Sequence, residues 1–361
     1  MFYEVFLKVF LKVSAKMFSK RLVKLIKLVK IATQACAMRL ASFFLLASFF
    51  VSATADISIS TTIRPLHFIA LAVVGARGDV IALIDSKSSP HHFNLTPSNR
   101  LALLKSDLIV WVGPELESQL SNSISKMAAD DRIITATALP DLISYKIGDG
   151  DQIDAHIWLD TRNASLIAAE IAQLAKRLDP ANSEYYQNNL AKFQMDLDRA
   201  TDQIGQLFTR SNAKPFAVYH NGFQYFEKQF GLSHQLELVR DPEIAPTISQ
   251  IIDIRTKVAQ VTPQCLFQEP DANPELVRTM LRDYRLNSTR PKNGSQSSQS
   301  SQSSQSSQSS QSSQSPTSSI REITIDLLGN DIVDSPDAYI NLITHVADEF
   351  SKCLNIAAPN D

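Results

Sequence analysis

The sequence predicts an α/β fold with mostly parallel sheets flanked by helices. Strands alternate with helices up to Leu178, a second alternating region starts near Lys214, and a long helical stretch lies between the two. Such alternation is typical of parallel sheets that carry helices on their faces. The long stretch, from about Ser183 to Phe208, contains no proline and no glycine before Gly205. It is either a rigid connector between the two regions or an ordinary surface helix.

Each element of the first region has a local sequence signal. Runs of apolar and β-branched residues predict three strands: Ile57–Ile63, Asp79–Asp85 and Leu108–Val112. Thr96 followed by Pro97 is typical of a helix N-cap with proline in the first helical position. The predicted helices run from Pro65 to about Val74, from Pro97 to about Lys105, and from Ala164 to Leu178, before Asp179-Pro180.

The second region repeats this alternation and contains one interruption. Its predicted strands are Phe216–Tyr219, Cys265–Gln268 and Ile323–Ile325, and its predicted helices are one that ends at Phe230, Pro274–Asp283 and Pro336–Cys353. The interruption, Ser295–Ser315, repeats Ser-Ser-Gln and has no apolar residue to bury. We therefore expect a disordered insertion at 291–319. A surface loop tolerates such an insertion because closure entropy grows slowly with length.

The N-terminus carries an export signal. Leu40–Val51 is an apolar run of signal-peptide length, preceded by Arg39 and followed by the small-residue cleavage pattern Ala53-Thr54-Ala55. The run is too short to span a bilayer. We expect cleavage after Ala55 and a periplasmic product. Residues 1–37 are Lys-rich and apolar, and we interpret them as an extended signal region or as sequence upstream of the true start, with a membrane-surface helix as the alternative.

Composition and charge exclude one class of function. The 361 residues are 44% hydrophobic, which is enough for one large or two medium cores. Residues 1–55 hold nine Lys and Arg and one acid, so 56–361 hold 26 basic and 36 acidic residues, a formal net charge of −10. Nucleic-acid binding needs a basic surface, so no nucleic-acid partner is expected.

Two cysteines, Cys265 and Cys353, follow the predicted cleavage site. An even pair in an exported protein indicates one disulfide, and two free buried thiols are the alternative. A bond between them would close a long loop and stabilise the fold by roughly 2–4 kcal/mol.

Metal-capable side chains follow several predicted strands. His91 lies in the loop after the second strand, His220 directly follows the FAVY strand, and His156 lies between an acidic loop and a helix. Asp326 and Glu269 also directly follow strands. In open α/β sheets, ligands bind beyond the carboxyl ends of the strands. The joint placement therefore predicts a metal site, although a lone histidine is more often a core or surface residue.

Two neighbouring residues are candidates for orienting a ligand histidine. His92 adjoins His91, and simple solvent exposure is the alternative. Glu269 offers a carboxylate that can fix a ligand imidazole by a hydrogen bond, and a structural role beside Pro270 is the alternative. The remaining histidines lie in no site-like context, and we expect packing or capping for His67.

Six motifs, in order along the chain, carry a resemblance to a known family. They are SPHHFNLTPS (89–98), LIVWVGPELE (108–117), DAHIWLD (154–160), VYHNGFQYFEKQFGL (218–232), FQEP (267–270) and IDLLG (325–329). Over nearly all of 56–354 the sequence resembles the zinc-binding, ZnuA-like solute-binding proteins of ABC transporters. The resemblance implies two similar α/β lobes joined by a long rigid helix, with the metal between them.

The resemblance also implies domains and site residues. The domains are an N-terminal extension with signal peptide (1–55), an N-terminal lobe (56–178), a connecting helix (179–210) and a C-terminal lobe (211–361). The metal ligands implied by the motifs are three histidines and one carboxylate: His91, His156, His220 and Asp326. In zinc members water or another acid sometimes replaces the carboxylate. Cys265 and Cys353 correspond to the disulfide of the family.

Zinc is the metal that this ligand set favours. Neutral imidazole suits Zn²⁺, which accepts tetrahedral nitrogen and oxygen coordination. Manganese-type relatives carry a carboxylate at the position of His220, and oxygen-richer sites suit Mn²⁺. The chain departs from many zinc members in two places. The stretch 148–152 lacks histidine, so no metal-scavenging loop is expected, and Pro90 replaces an acid, which favours Asp326 or water as fourth ligand.

The predicted function is high-affinity capture of Zn²⁺ outside the inner membrane and its delivery to an ABC permease and, through it, the ATPase. We expect a monomer without enzymatic activity. The alternatives are a manganese- or iron-type transport protein and, less favoured, a secreted zinc hydrolase, for which the sequence has no HExxH motif. A third class is an adhesin or interaction protein that uses the Ser/Gln repeat.

Overall fold

Two four-stranded parallel sheets, each with helices on its faces, form the framework of the protein. The computed structural model describes residues 57–84, 93, 95–127, 130–148, 150–209, 214–242, 244–288 and 320–354. The predicted α/β class is confirmed. The predicted leader with its cleavage site, the residues His91 and His92, and the Ser/Gln insertion lie outside the described residues and stay predictions.

Sheet 1 precedes the long helix. Its strands are β1 (Ile57–Thr61), β2 (Gly78–Ala82), β3 (Leu108–Trp111) and β4 (Ile133–Thr135), in the spatial order β2-β1-β3-β4. The connecting helices are α1 (Arg64–Val74), α2 (Pro97–Lys105), α3 (Ser121–Met127) and α4 (Thr161–Leu178). Strand β3 is buried along its whole length, as expected for an inner strand of a sheet covered on both faces.

Helix α5 (Ser183–Thr209) has 27 residues, which gives it a length of about 40 Å. It packs along α1 and α4. Apolar residues three or four positions apart form its buried stripe. These residues are Tyr186, Leu190, Phe193, Leu197, Ala200, Ile204 and Phe208.

Sheet 2 repeats the topology of sheet 1. Its strands are β5 (Phe216–Val218), β6 (Leu236–Glu237), β7 (Cys265–Gln268) and β8 (Arg321–Thr324), in the order β6-β5-β7-β8. The helices here are α6 (Gln224–Gln229), α7 (Ile248–Val261), α8 (Pro274–Ser288) and α9 (Ala338–Leu354). Within each set of four, the first strand therefore lies between the second and the third.

One hydrophobic core runs from sheet 1 into sheet 2. Phe68 of α1, Phe193 of α5 and Phe350 of α9 belong to the same buried cluster, because α9 packs against both α1 and α5. A smaller core fills the other face of sheet 2, around Val258 and Leu266. The two sheets are thus joined by shared packing as well as by the chain.

A disulfide joins Cys265 at the start of β7 to Cys353 in α9, with the two Cα atoms 6.0 Å apart. The predicted bond is confirmed. Beside it the rings of Phe267 and Phe350 stack with centroids 4.1 Å apart. Among the described residues, no helix has the length and apolar character to cross a membrane.

Candidate metal centre

His220 lies two residues beyond the end of β5 and is 8% exposed. Its Nδ1 lies 3.1 Å from Oε2 of Glu269, which directly follows β7. Strands β5 and β7 are parallel neighbours with Val218 opposite Phe267, so their carboxyl ends bring the two side chains together. With Nδ1–H donating to the carboxylate, the Nε2 lone pair is the one available for a metal.

His156 lies in the loop before α4, at the start of the short turn Ile157–Leu159, and is 7% exposed. The carboxylate Oδ1 of Asp154 lies 2.7 Å from its Nδ1 and accepts its backbone N–H at 3.0 Å. Asp154 is 1% exposed. His156 and His220 are therefore both backed by a buried carboxylate on the same ring nitrogen.

The two imidazoles meet although their sequence positions lie on either side of α5. The ring centroids of His156 and His220 are 5.2 Å apart, with an angle of 52° between the planes. The indole of Trp158 packs on the His156 ring at 5.2 Å. Two rings at this spacing, each held by an acid, can present nitrogens to one ion.

The electrostatics of His220 reflect its surroundings. Burial by itself lowers the pKa of this imidazole. The charge of Glu269 and the hydrogen bond to it, with smaller contributions from Asp154 and Asp271, outweigh burial and raise the pKa above its usual value. A negative environment of this kind strengthens the histidine as a ligand and favours a bound cation.

Asp326 follows β8, and its carboxylate is bonded within its own loop. Oδ1 accepts the backbone N–H of Leu328 at 2.9 Å and Oδ2 accepts that of Asn330 at 2.6 Å. In the part of the chain that the structure describes, no three His, Cys, Asp or Glu side chains form a group that could hold a metal ion. The assignments of Asp326 and of His91 as ligands therefore stay predictions, as does that of His92.

Two residues at this site were not predicted. Asp154 has a local signal, because an Asp two residues before a histidine can accept that residue's N–H in an Asx turn. Gly222 is required because no side chain fits at this position. A Cβ there would lie 2.6 Å from Glu269 Oε1 and 3.0 Å from His220 Nε2. Only glycine leaves the imidazole and its carboxylate where they are.

Other histidines lie in different surroundings. His67 in α1 is buried, with Nε2 3.1 Å from Asp334 Oδ2, and burial lowers its pKa more than this acid raises it. His234 has its Nδ1 2.8 Å from Glu227 Oε2. His345 is on the exposed side of α9. These positions agree with packing and surface roles.

Comparison with known proteins adds a family. The model of the family ZnuA, described as periplasmic zinc-uptake complex component A, matches residues 59–353. A high-affinity zinc uptake system protein ZnuA from Brucella suis is 26% identical over 336 residues, which cover 81% of this chain and 90% of the relative. The protein of the same description from Yersinia pestis is 26% identical over 342 residues, which cover 87% and 96%.

A solved structure supports the fold. The periplasmic zinc-binding protein TroA from Treponema pallidum matches with a TM-score of 0.66 at 15% sequence identity, and the match covers 83% of this chain and 99% of that one. At this identity the likeness concerns the fold.

Proposed function

This chain belongs to the ZnuA family of periplasmic zinc-uptake components, and from that premise we propose that it captures Zn²⁺ with high affinity and delivers it to an ABC permease for import. The observation that carries the proposal is the pair of carboxylate-backed imidazoles, His156 with Asp154 and His220 with Glu269. Zinc-binding histidines commonly donate their second ring N–H to a carboxylate, which fixes the tautomer and raises ligand basicity.

The proposed ligands are the Nε2 atoms of His156 and His220, with His91 as the third ligand and Asp326 or a water molecule as the fourth. Each Asp326 oxygen accepts a backbone N–H and retains a further lone pair for a metal. The two N–H donors fix the carboxylate in the loop that follows β8. Neutral imidazoles with one oxygen ligand match the preference of Zn²⁺ for tetrahedral nitrogen and oxygen coordination.

We propose binding without catalysis. The two carboxylates beside the imidazoles, Asp154 and Glu269, each bond a ligand histidine, so their role is to orient ligands rather than to activate a water. The proposed partners are the inner-membrane permease and, through it, the ATPase. The predicted signal peptide and the periplasmic family support an encounter in the periplasm.

The test is a competitive zinc titration against a chelator, with manganese as a second competitor, on the exported protein. We expect one tightly bound zinc per chain. His156→Ala and His220→Ala should each weaken zinc binding by about 100-fold or more, since losing a ligand exceeds the roughly 10–100-fold effect of losing an outer partner. His345→Ala removes an exposed histidine of α9 and is the matched control.

Three outcomes would contradict the proposal. Preference for manganese over zinc would assign another metal. Equal affinities for wild type and both site variants would remove the assigned ligands. Hydrolysis of ester or peptide substrates by the zinc-loaded protein would favour the enzyme alternative.

A further inference from the structure

The loop that carries His156 precedes α5 in the chain but is hydrogen-bonded to groups that follow α5. Tyr339 of α9 donates its hydroxyl to the Trp158 carbonyl at 2.6 Å, and the Trp158 indole donates to the Leu327 carbonyl at 3.0 Å. Tyr225 of α6 donates its hydroxyl to the Asp154 carbonyl at 2.8 Å. The His156 loop is thus fixed to the side of the molecule that carries His220.

Tyr225 closes a ring of three hydrogen bonds around this loop. Its hydroxyl accepts the Tyr145 backbone N–H at 3.1 Å and donates to the Asp154 carbonyl. The Asp154 N–H returns to the Tyr145 carbonyl at 2.8 Å. The rings of Tyr145 and Tyr225 also pack with centroids 4.9 Å apart. One hydroxyl therefore satisfies a backbone donor at Tyr145 and a backbone acceptor at Asp154.

The position of Tyr225 links the two histidines. Asp154, whose carbonyl Tyr225 holds, also supplies the carboxylate that fixes His156. Helix α6, which carries Tyr225, begins four residues after His220. Tyr225 has no exposed surface, and burial raises its pKa, so the hydroxyl keeps the proton that it donates.

We infer that Tyr225 is a positioning residue for zinc: its hydroxyl holds the His156 loop against the helix that follows His220, so that both imidazoles are in place before the metal enters. The inference rests on the proposed function, because His156 and His220 must be ligands for their spacing to matter. Pre-placed ligands lose less freedom when the ion binds, which tightens binding.

The variant that tests the inference is Tyr225→Phe, which keeps the buried ring and removes the hydroxyl. We expect zinc affinity to fall about 10-fold, at the lower end of the effect of an outer-sphere partner, because Tyr225 acts on His156 through Asp154. We also expect a changed visible absorption spectrum of the Co²⁺-substituted protein, which reports ligand geometry. The control is Tyr186→Phe in α5, which removes a buried hydroxyl that donates to Asp179, just after α4, at 2.9 Å.

The readouts separate positioning from simple stability. Supporting results are weaker zinc binding and an altered cobalt spectrum in Tyr225→Phe, with neither change in Tyr186→Phe, whatever the loss of Tm in the zinc-free proteins. Unchanged zinc affinity in Tyr225→Phe overturns the inference. Equal weakening in both variants also overturns it, because the effect would then follow stability alone.

A measurement on the unmodified protein covers the case in which Tyr225→Phe does not fold. In the zinc-free state the Tyr145 amide, which donates to the Tyr225 hydroxyl, should exchange its hydrogen slowly, and zinc should change this rate little. An amide that is protected only after zinc addition overturns the inference.

Wild type and His156→Ala, measured alongside, separate the two failures. If wild type does not bind zinc, or if His156→Ala binds zinc as wild type does, the proposed function or its ligand assignment fails, and the inference with it. If both behave as proposed while Tyr225→Phe is unaffected, only the inference fails.

Discussion

At the carboxyl ends of the two sheets, equivalent strands carry different pairs of side chains. In sheet 1 Thr62 follows β1 and Glu117 lies in the loop after β3, and the Thr62 hydroxyl donates to Glu117 Oε1 at 2.5 Å. In sheet 2 His220 follows β5 and Glu269 follows β7, and the imidazole is 3.1 Å from the carboxylate. Strands β1 and β5 hold the same place in their sheets, as do β3 and β7.

The difference lies in what the carboxylate holds. Glu117 also accepts the Gly113 N–H at 3.0 Å and is 2% exposed, so it fixes the loop in which it lies. Its other partner is the Thr62 hydroxyl, which is not among the usual zinc ligands. Glu269 contacts Nδ1 of the His220 imidazole, and the second ring nitrogen, Nε2, is of a type that binds metals. The repeated topology supplies a buried acid at the same edge twice, and the partner side chain decides whether that edge is structural or ligand-binding.

We expect the largest effect from a substitution that disturbs the close packing around His220 in sheet 2. Gly222→Ala places a Cβ 2.6 Å from Glu269 Oε1 and 3.0 Å from His220 Nε2, so both must move. We expect zinc affinity to fall by about 100-fold or more, at or beyond the upper end for outer-sphere changes. Gly205→Ala in α5, where a Cβ has no neighbour within 4 Å among the described residues, is the control. A chelator competition that gives equal affinities for both variants would show that the close approach is unimportant.

Glu117, the buried acid at the end of sheet 1, should make the free energy of unfolding depend on pH. Burial raises the pKa of Glu117 from 4.5 to about 7, although hydrogen bonds from Thr62, Gly113 and Val112 act in the opposite direction. The folded protein therefore binds this proton more tightly than the unfolded chain. The resulting stabilisation is complete below about pH 4.5 and is lost as the pH rises through about 7.

This dependence can be measured on the zinc-free protein against Glu117→Gln, which does not titrate. The free energy of unfolding of wild type relative to the variant should fall by up to about 3 kcal/mol between those pH values. Denaturant unfolding at a series of pH values gives this difference. A difference that does not vary with pH would mean that the Glu117 carboxyl titrates alike in both states.

The most direct test of the contrast between the two sheets compares single substitutions of Glu269 and Glu117. Glu269→Ala should weaken zinc binding about 10–100-fold, because its histidine loses the carboxylate that orients it. Glu117→Ala should leave zinc affinity unchanged and lower the free energy of unfolding by about 1–3 kcal/mol, because buried donors lose their acceptor. Isothermal titration with chelator competition and denaturant unfolding measure the two quantities. Weaker zinc binding in Glu117→Ala would contradict the contrast, because the carboxyl ends of both sheets would then affect zinc binding.

The strongly apolar strands were predictable because both faces of a covered parallel sheet are buried. Leu108–Val112 was predicted and β3 is Leu108–Trp111. Strands β4 and β6 have three and two residues, too few for a pattern, and they form because a neighbouring strand pairs with them. Helix α7 was missed because its apolar residues are not confined to one face: Ile254 and Val258 are buried, whereas Ile248 and Ile252 are exposed.

The candidate site was predictable in part. His220 and Glu269 followed from residue type and from their positions after strands, and His156 from its place before a helix and from the DAHIWLD motif. The structure brings the three together. Tyr225 carried no such signal, because its hydroxyl meets the Asp154 carbonyl across 71 positions of chain. A pairing of this kind depends on how α6 packs, which no local pattern contains. Helix α8 also runs to Ser288 rather than Asp283, since no proline or glycine stops it earlier.

The hydrogen bonds across α5 have a consequence for the order in which the chain folds during synthesis. During synthesis the N-terminal part of a chain generally folds first. Sheet 1 has all its strands once residue 135 has emerged. The carbonyls of Asp154 and Trp158, however, gain their hydrogen bonds only after Tyr225 and Tyr339 have been added to the chain. The surroundings of His156 are therefore among the last parts to assemble, because a chain that ends before Tyr339 lacks one of the hydrogen bonds that hold this loop.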